Sequence, residues 1–295
     1  LRPSLLLVLL TTLSAAVFAT GNDDAPSPAY VAEYGAGTQQ SGWTIRGLDQ
    51  PYAALYDSSD DVVYVSSIQG DPAERDGKGY ISRIDSDGLP MEKHWIRGLD
   101  APKGMAVRGE LLYVADINEL VVVDIAEAQV SNRYLIPGAR MLQDVAVAQD
   151  GSIYTVDSAS GTIHRVHDGR FEIWSSDSQI REPRAIAPLG EKLLLSTLGE
   201  DAATGRLITV SPDGQVTALP TDFTGRLSGL HSDGKGGFVG ADETSLKWVR
   251  VHATGDVEIL GELDPDTDYV ADVPSASLII EVKGEQNTVR AVPAP

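Results

Sequence analysis

Six times along the chain, three short apolar patches follow one another in the same order, separated by polar breaks. The first set reads PYAALY, VVYVSSI and GYISRID, the second KGMAV, LLYVADI and ELVVVDI, and the third QDVAV, SIYTVDS and GTIHRVH. EPRAIA, KLLLSTL and GRLITVS form the fourth; LSGLHS, GGFVGAD and SLKWVRVH the fifth; YVADV, SLIIEV and NTVRAV the last. Each patch is too short for a helix, is rich in Val, Ile, Leu and Tyr, and is bounded by Gly, Asp or Asn, as short strands are. The middle patches centre on Tyr64, Tyr113, Tyr154, Leu194, Phe238 and Ile279. Their spacing of roughly 40 to 50 residues is that of one propeller blade after another. A sandwich also uses many short strands, but it gives no reason for a triplet to recur at that spacing. The expected fold is all-β, a six-bladed β-propeller.

A fourth, outer strand follows the third in most sets, as KHWIRG, NRYLIPG, FEIWSS, QVTALP and VEILGEL, but the last set lacks one. GWTIRG, near the start of the repeats, is expected to supply it, closing the ring by pairing N-terminal and C-terminal strands. The motif I-R-G-L-D-x-P, which begins at Ile45 and again at Ile96, then reads as a joint between blades. Gly47 or Gly98 turns the chain out of an outer strand, and Pro51 or Pro102 sets φ for the next inner strand. The segment SIQGDPAERDGKG is polar and belongs in a loop.

Upstream of the repeats, Arg2 is followed by an apolar run from Leu5 to Phe18 and then Ala19. Val17 and Ala19 suit signal peptidase, so residues 1–19 read as a leader; the run is shorter than the roughly 20 residues of a membrane span. Residues 20–42, with their Pro, Ala, Ser and Gln, read as a flexible linker with no core of its own, and 43–295 as one propeller domain. The leader and the absence of cysteine both suit a periplasmic or secreted protein, and no disulfide framework or thiolate metal site is available. A formal net charge of −20 makes nucleic acid and anionic membrane poor partners.

In a propeller the starts of the inner strands, and the residues just after the second strands, gather at one mouth of the channel. The first group is Asp49, Gln50, Tyr52, Asp100, Lys103, Gln143, Asp144, Arg184, Arg226, Ser228, Tyr269 and Asp272; the second is Ser67, Asp116, Asn118, Asp157, Thr197 and Asp242. Carboxylates mixed with Lys103 and Arg184 suit either a hard cation such as calcium or a polar organic ligand in a concave site. Asp116 and Asp157, each closing a strand, also suit turn caps. Asp49 and Asp100 fall in the repeated joints, which favours a structural role. His164 and His167 lie three apart on a strand, on opposite faces, and cannot chelate one ion together. Asp264, Asp266 and Asp268 begin like a calcium loop but lack its Gly and its closing Glu, and read as an acidic turn.

The runs GYISRIDSDG, GLDAPKGMAV, LLYVADI and QDVAV resemble exported bacterial members of the senescence marker protein/gluconolactonase superfamily, with a looser likeness to NHL-repeat propellers. The resemblance implies a six-bladed propeller and, for the enzymatic members, sugar-lactone hydrolysis with a divalent ion held by a Glu, an Asn and an Asp. At the corresponding positions this chain has Asp49, Arg184 and Ser228, and the substrate-binding Asn-Asp pair reads Gln143-Asp144. A guanidinium cannot ligate a metal and repels one. The expected function is therefore binding of a small polar or anionic ligand, or of a protein, by Lys103, Gln143, Asp144, Arg184 and Ser228. The alternative is a divergent metal-dependent lactonase using Asp49, Asp144 and Asp272, with Asp144 as general base.

Overall fold

The structure, a computed structural model, describes residues 30–34, 42–201 and 203–294. Every expected patch is a strand. The inner strands are Pro51–Asp57, Pro102–Arg108, Leu142–Val147, Ala185–Leu189, Leu227–Ser232 and Tyr269–Val273. Each touches the next around the channel, and the sixth closes on the first. Second strands follow at Val62–Ser67, Leu111–Asp116, Ile153–Asp157, Lys192–Leu198, Gly237–Asp242 and Leu278–Lys283. A third strand and an outer one complete each antiparallel sheet, so blades one to six run in chain order. Among the described residues there is no helix, and none that could cross a membrane.

The second strands are buried along almost their whole length because a blade packs on each face. This is why they read as continuous apolar runs rather than as alternating ones. Six apolar clusters fill the six interfaces between blades. Between blades one and two, for example, Tyr64 stacks on Trp95 with ring centroids 5.1 Å apart, against Leu112 and Val121. Each fully buried aliphatic side chain contributes about 1.5–3 kcal/mol, so the ring is held by its interfaces.

The ring closes as the sequence suggests. Trp43–Arg46 is the outer strand of blade six, with Ile45 opposite Val289. The Trp43 side chain is 2% exposed, and its indole N–H donates to the Ser86 carbonyl of blade one at 2.9 Å. One expectation is corrected: Val31–Tyr34, inside the stretch read as a flexible linker, forms a fifth strand antiparallel to Trp43–Arg46. Ala32 joins the core there. An outer strand offers unpaired N–H and C=O groups along its edge, and the chain doubles back to satisfy them. The leader at 1–19 lies outside the described residues.

The I-R-G-L-D-x-P joints have the predicted form, with Gly47 and Gly98 at φ 82° and 74°, in the left-handed region. Strand-closing carboxylates cap the joints that lead into blades two and three. Asp116 accepts the N–H groups of Asp100 at 2.9 Å and Ala101 at 2.6 Å, and Asp157 accepts those of Arg140 at 2.9 Å and Met141 at 3.2 Å. Blade one has Ser67 at that position, and the Tyr80 hydroxyl takes over, accepting the Asp49 N–H at 2.8 Å. The polar insertion is a loop, tied down by Arg75 through Asp100 at 3.0 Å and Glu119 at 2.6 Å.

Candidate functional site

All six inner strands begin at the same end of the channel, and a cavity of about 660 Å³ opens at that mouth. Gln143, Arg184 and Ser228 line it, together with Tyr52, Tyr269 and Glu243. Pro72 of the blade-one insertion and the acidic turn before blade six complete its rim. Arg184 is fixed by its own N–H, which donates to the Ser196 carbonyl at 2.9 Å just ahead of the inner strand of blade four. Gln143 stands where the register of its strand breaks, and its amide donates to the Tyr52 hydroxyl. The Ser228 hydroxyl donates to the Asp268 carbonyl at 2.8 Å, which ties blade five to the acidic turn.

The electrostatics of the cavity are uneven. Arg184 is half-buried, its charge acts on the Tyr52 hydroxyl, and among the described residues its guanidinium forms no salt bridge. Burial pushes the Glu243 carboxyl up; Arg184 and Arg226 oppose this, while Asp268 and Asp242 reinforce it. Burial likewise holds the Tyr52 and Tyr269 hydroxyls protonated. It also pushes His231 down to about 4, so the imidazole is neutral near pH 7. The Tyr269 hydroxyl lies 3.0 Å from His231 Nε2, and the imidazole tautomer sets which of the two donates.

Lys103 and Asp144 are not among the residues lining the cavity. Lys103 is 3% exposed, with its Nζ 5.9 Å from the Tyr52 ring centroid and without a hydrogen-bond partner among the described residues. Burial depresses its pKa, and Asp116 and Asp157 counter that. Asp144 is 4% exposed; its carboxylate accepts the N–H of Val145 at 2.9 Å and of Ile186 at 3.0 Å, and burial raises its pKa to about 7. A Cβ at position 104 would lie 2.1 Å from Asp144 Oδ1, so Gly104 makes room for this contact.

The three carboxylates considered for a metal stand apart. Asp49 is paired with Lys93 at 2.9 Å and with the Tyr80 hydroxyl. Asp144 is occupied by backbone donors. Asp272 faces Lys235, Arg250 and Asp233, at the turn where the inner strand of blade five ends, hence at the opposite mouth. Among the described residues no group of three or more His, Asp or Glu is placed to hold an ion. The positions matched to the lactonase ligands present a lysine-paired Asp49, the cation Arg184 and a Ser228 hydroxyl already donating to a carbonyl. This donor set does not fit a divalent cation.

Sequence reasoning passed over Glu243, Thr267 and Asp268 as site residues. Glu243 stands one residue past Asp242, beyond the strand end where candidates were sought, and Asp268 belongs to the turn read only as acidic.

The chain is a six-bladed β-propeller with the architecture of the gluconolactonase-like propellers. The LVIVD repeat model matches residues 102–133, which is blade two from its inner strand into its outer strand. At the level of sequence no curated protein matches. Among solved structures, a gluconolactonase from Xanthomonas campestris superposes with a TM-score of 0.62 at 14% identity, over 87% of this chain and 91% of that one. Virginiamycin B lyase from Staphylococcus aureus gives 0.59 at 12% identity, over 85% and 98%. An auxiliary nutrient binding protein from Bacteroides ovatus gives 0.61 at 14% identity, over 83% and 69%. At such identities the likeness is one of fold.

Proposed function

We propose that this propeller is an exported binding protein that takes a small polar ligand into the cavity at the first mouth and holds an anionic group of that ligand on Arg184. The observation that carries the reading is a half-buried guanidinium lining a concave cavity without a salt bridge among the described residues. A guanidinium in that setting offers a planar fork of donors matched to a carboxylate or phosphate. Tyr52, Tyr269 and Gln143 supply aromatic surface and amide chemistry around it. The concave shape suits a small molecule; a protein partner would have to present an acidic side chain to the same place. Binding is preferred to lactone hydrolysis because the donor set does not suit the divalent ion on which that hydrolysis depends, and because Asp144 is engaged by backbone N–H groups.

The test is a set of thermal melts with hexanoate, gluconate and inorganic phosphate, on the wild type and on Arg184→Ala. An anion present at about 100 times its dissociation constant adds about 2.7 kcal/mol to the folded state. A shift in the wild type that disappears in Arg184→Ala supports the reading, and equal shifts in both proteins remove it.

A further inference from the structure

Arg184 does not sit in a cationic cavity. Four carboxylates, Glu243, Asp266, Asp268 and Glu285, line the same space. An anion carrying no positive charge of its own would meet that acidic wall as soon as it reached Arg184. The wall is itself crowded with charge: Asp268 and Asp242 raise Glu243, and Glu285 and Asp266 raise Asp268, each on top of the effect of burial. A ligand cation placed there relieves the crowding.

A second, independent feature lies in the same wall. Thr267 lines the cavity and is 5% exposed, and its hydroxyl has no hydrogen-bond partner among the described residues. A buried hydroxyl left unpaired is costly, and a ligand that supplies the missing partner recovers that cost. The hydroxyl can accept an N–H and donate to an oxygen, so it suits an amine seated among carboxylates.

We infer that the ligand is a zwitterion of amino-acid chemistry, with its carboxylate on Arg184 and its protonated amine on Asp268, Glu285 and the Thr267 hydroxyl. The inference rests on the reading of Arg184 as an anion holder and adds the opposite pole. The tyrosine rings of Tyr52 and Tyr269 line the cavity as well and can pack on the carbon chain joining the two charges.

Calorimetric titration of the full chain with glycine, γ-aminobutyrate, ε-aminohexanoate, hexanoate and hexylamine tests this. At least one amino acid is expected to bind about tenfold or more tightly than hexanoate or hexylamine. Asp268→Asn is expected to remove that advantage while leaving hexanoate affinity equal or higher. Asp268 also accepts the Gly284 N–H at 2.7 Å, so Glu285→Gln, at an exposed side chain, provides the same test if the first variant does not fold. Hexanoate binding as tightly as every amino acid, and losing affinity in Arg184→Ala, would overturn the zwitterion and keep the anion site. Absence of binding by the whole series, or binding indifferent to Arg184→Ala, would overturn both.

Discussion

Asp144 Oδ2 accepts the backbone N–H of Ile186 at 3.0 Å, so a side chain at the start of the blade-three inner strand is fastened to the inner strand of blade four. Burial raises this carboxyl from 3.8 to about 7. Below 3.8 both folded and unfolded chains hold the proton; between 3.8 and about 7 the unfolded chain ionises while the folded chain keeps its proton, so stability is lost across that range and levels off above it. Asp144→Asn keeps a carbonyl oxygen for Ile186 and cannot ionise. The wild type should therefore lose roughly 2–3 kcal/mol relative to Asp144→Asn between about pH 5 and about pH 8. Denaturant unfolding of both proteins across that range measures the difference; a constant gap would mean that Asp144 titrates normally.

His231 shows the opposite dependence. Its pKa is depressed from 6.5 to about 4 by burial, so its contribution is present above 6.5 and is lost as pH falls through about 4. Proton NMR should place the midpoint of this ring well below 6.5. A midpoint near 6.5 would show that the imidazole is open to water.

The seam of the ring depends on Trp43. Trp43→Ala should cost about 3–5 kcal/mol, by leaving a cavity and removing the bond to Ser86. Trp43→Phe keeps much of the packing and should cost less. The glycine at position 88 has φ 84°, and a Cβ there would lie 2.2 Å from the indole, so Gly88→Ala should destabilise the same contact. Chemical unfolding of the three variants ranks them; an innocuous Trp43→Ala would place ring closure elsewhere.

Asp116 satisfies the N–H groups of Asp100 and Ala101 in the second joint. Asp116→Ala leaves both without an acceptor and should destabilise the fold by about 2–4 kcal/mol. It should leave anion affinity at Arg184, two blades away, within about twofold. A large loss of affinity with little loss of stability would mark Asp116 as a ligand residue instead.

The blades, their joints and the closing strand were legible in the sequence because they follow from patterns of a few residues: apolar patches, Gly-turned joints and one strand lacking its partner. The facing of individual side chains at the mouth was not. The inner strands break register between Pro102 and Met105, Leu142 and Asp144, and Ser228 and His231. Such bulges upset the alternation from which facing is read. Gln143 and Asp144 look equivalent as neighbours at a strand start, yet one lines the cavity and the other is clamped to backbone. Lys103 likewise ends behind the Tyr52 ring rather than at the surface of the mouth. Glu243 and the 266–268 turn meet Arg184 only through the closure of the ring, which brings blades four, five and six around one space.

The central claim is that Arg184 holds the anionic group of a ligand, and the most direct measurement is calorimetric titration of hexanoate into wild type, Arg184→Lys and Arg184→Ala. Affinity should fall about tenfold or more in Arg184→Ala and less in Arg184→Lys, which keeps the charge but loses the planar fork. Equal affinity in all three proteins, with unchanged melting temperatures, would contradict the account.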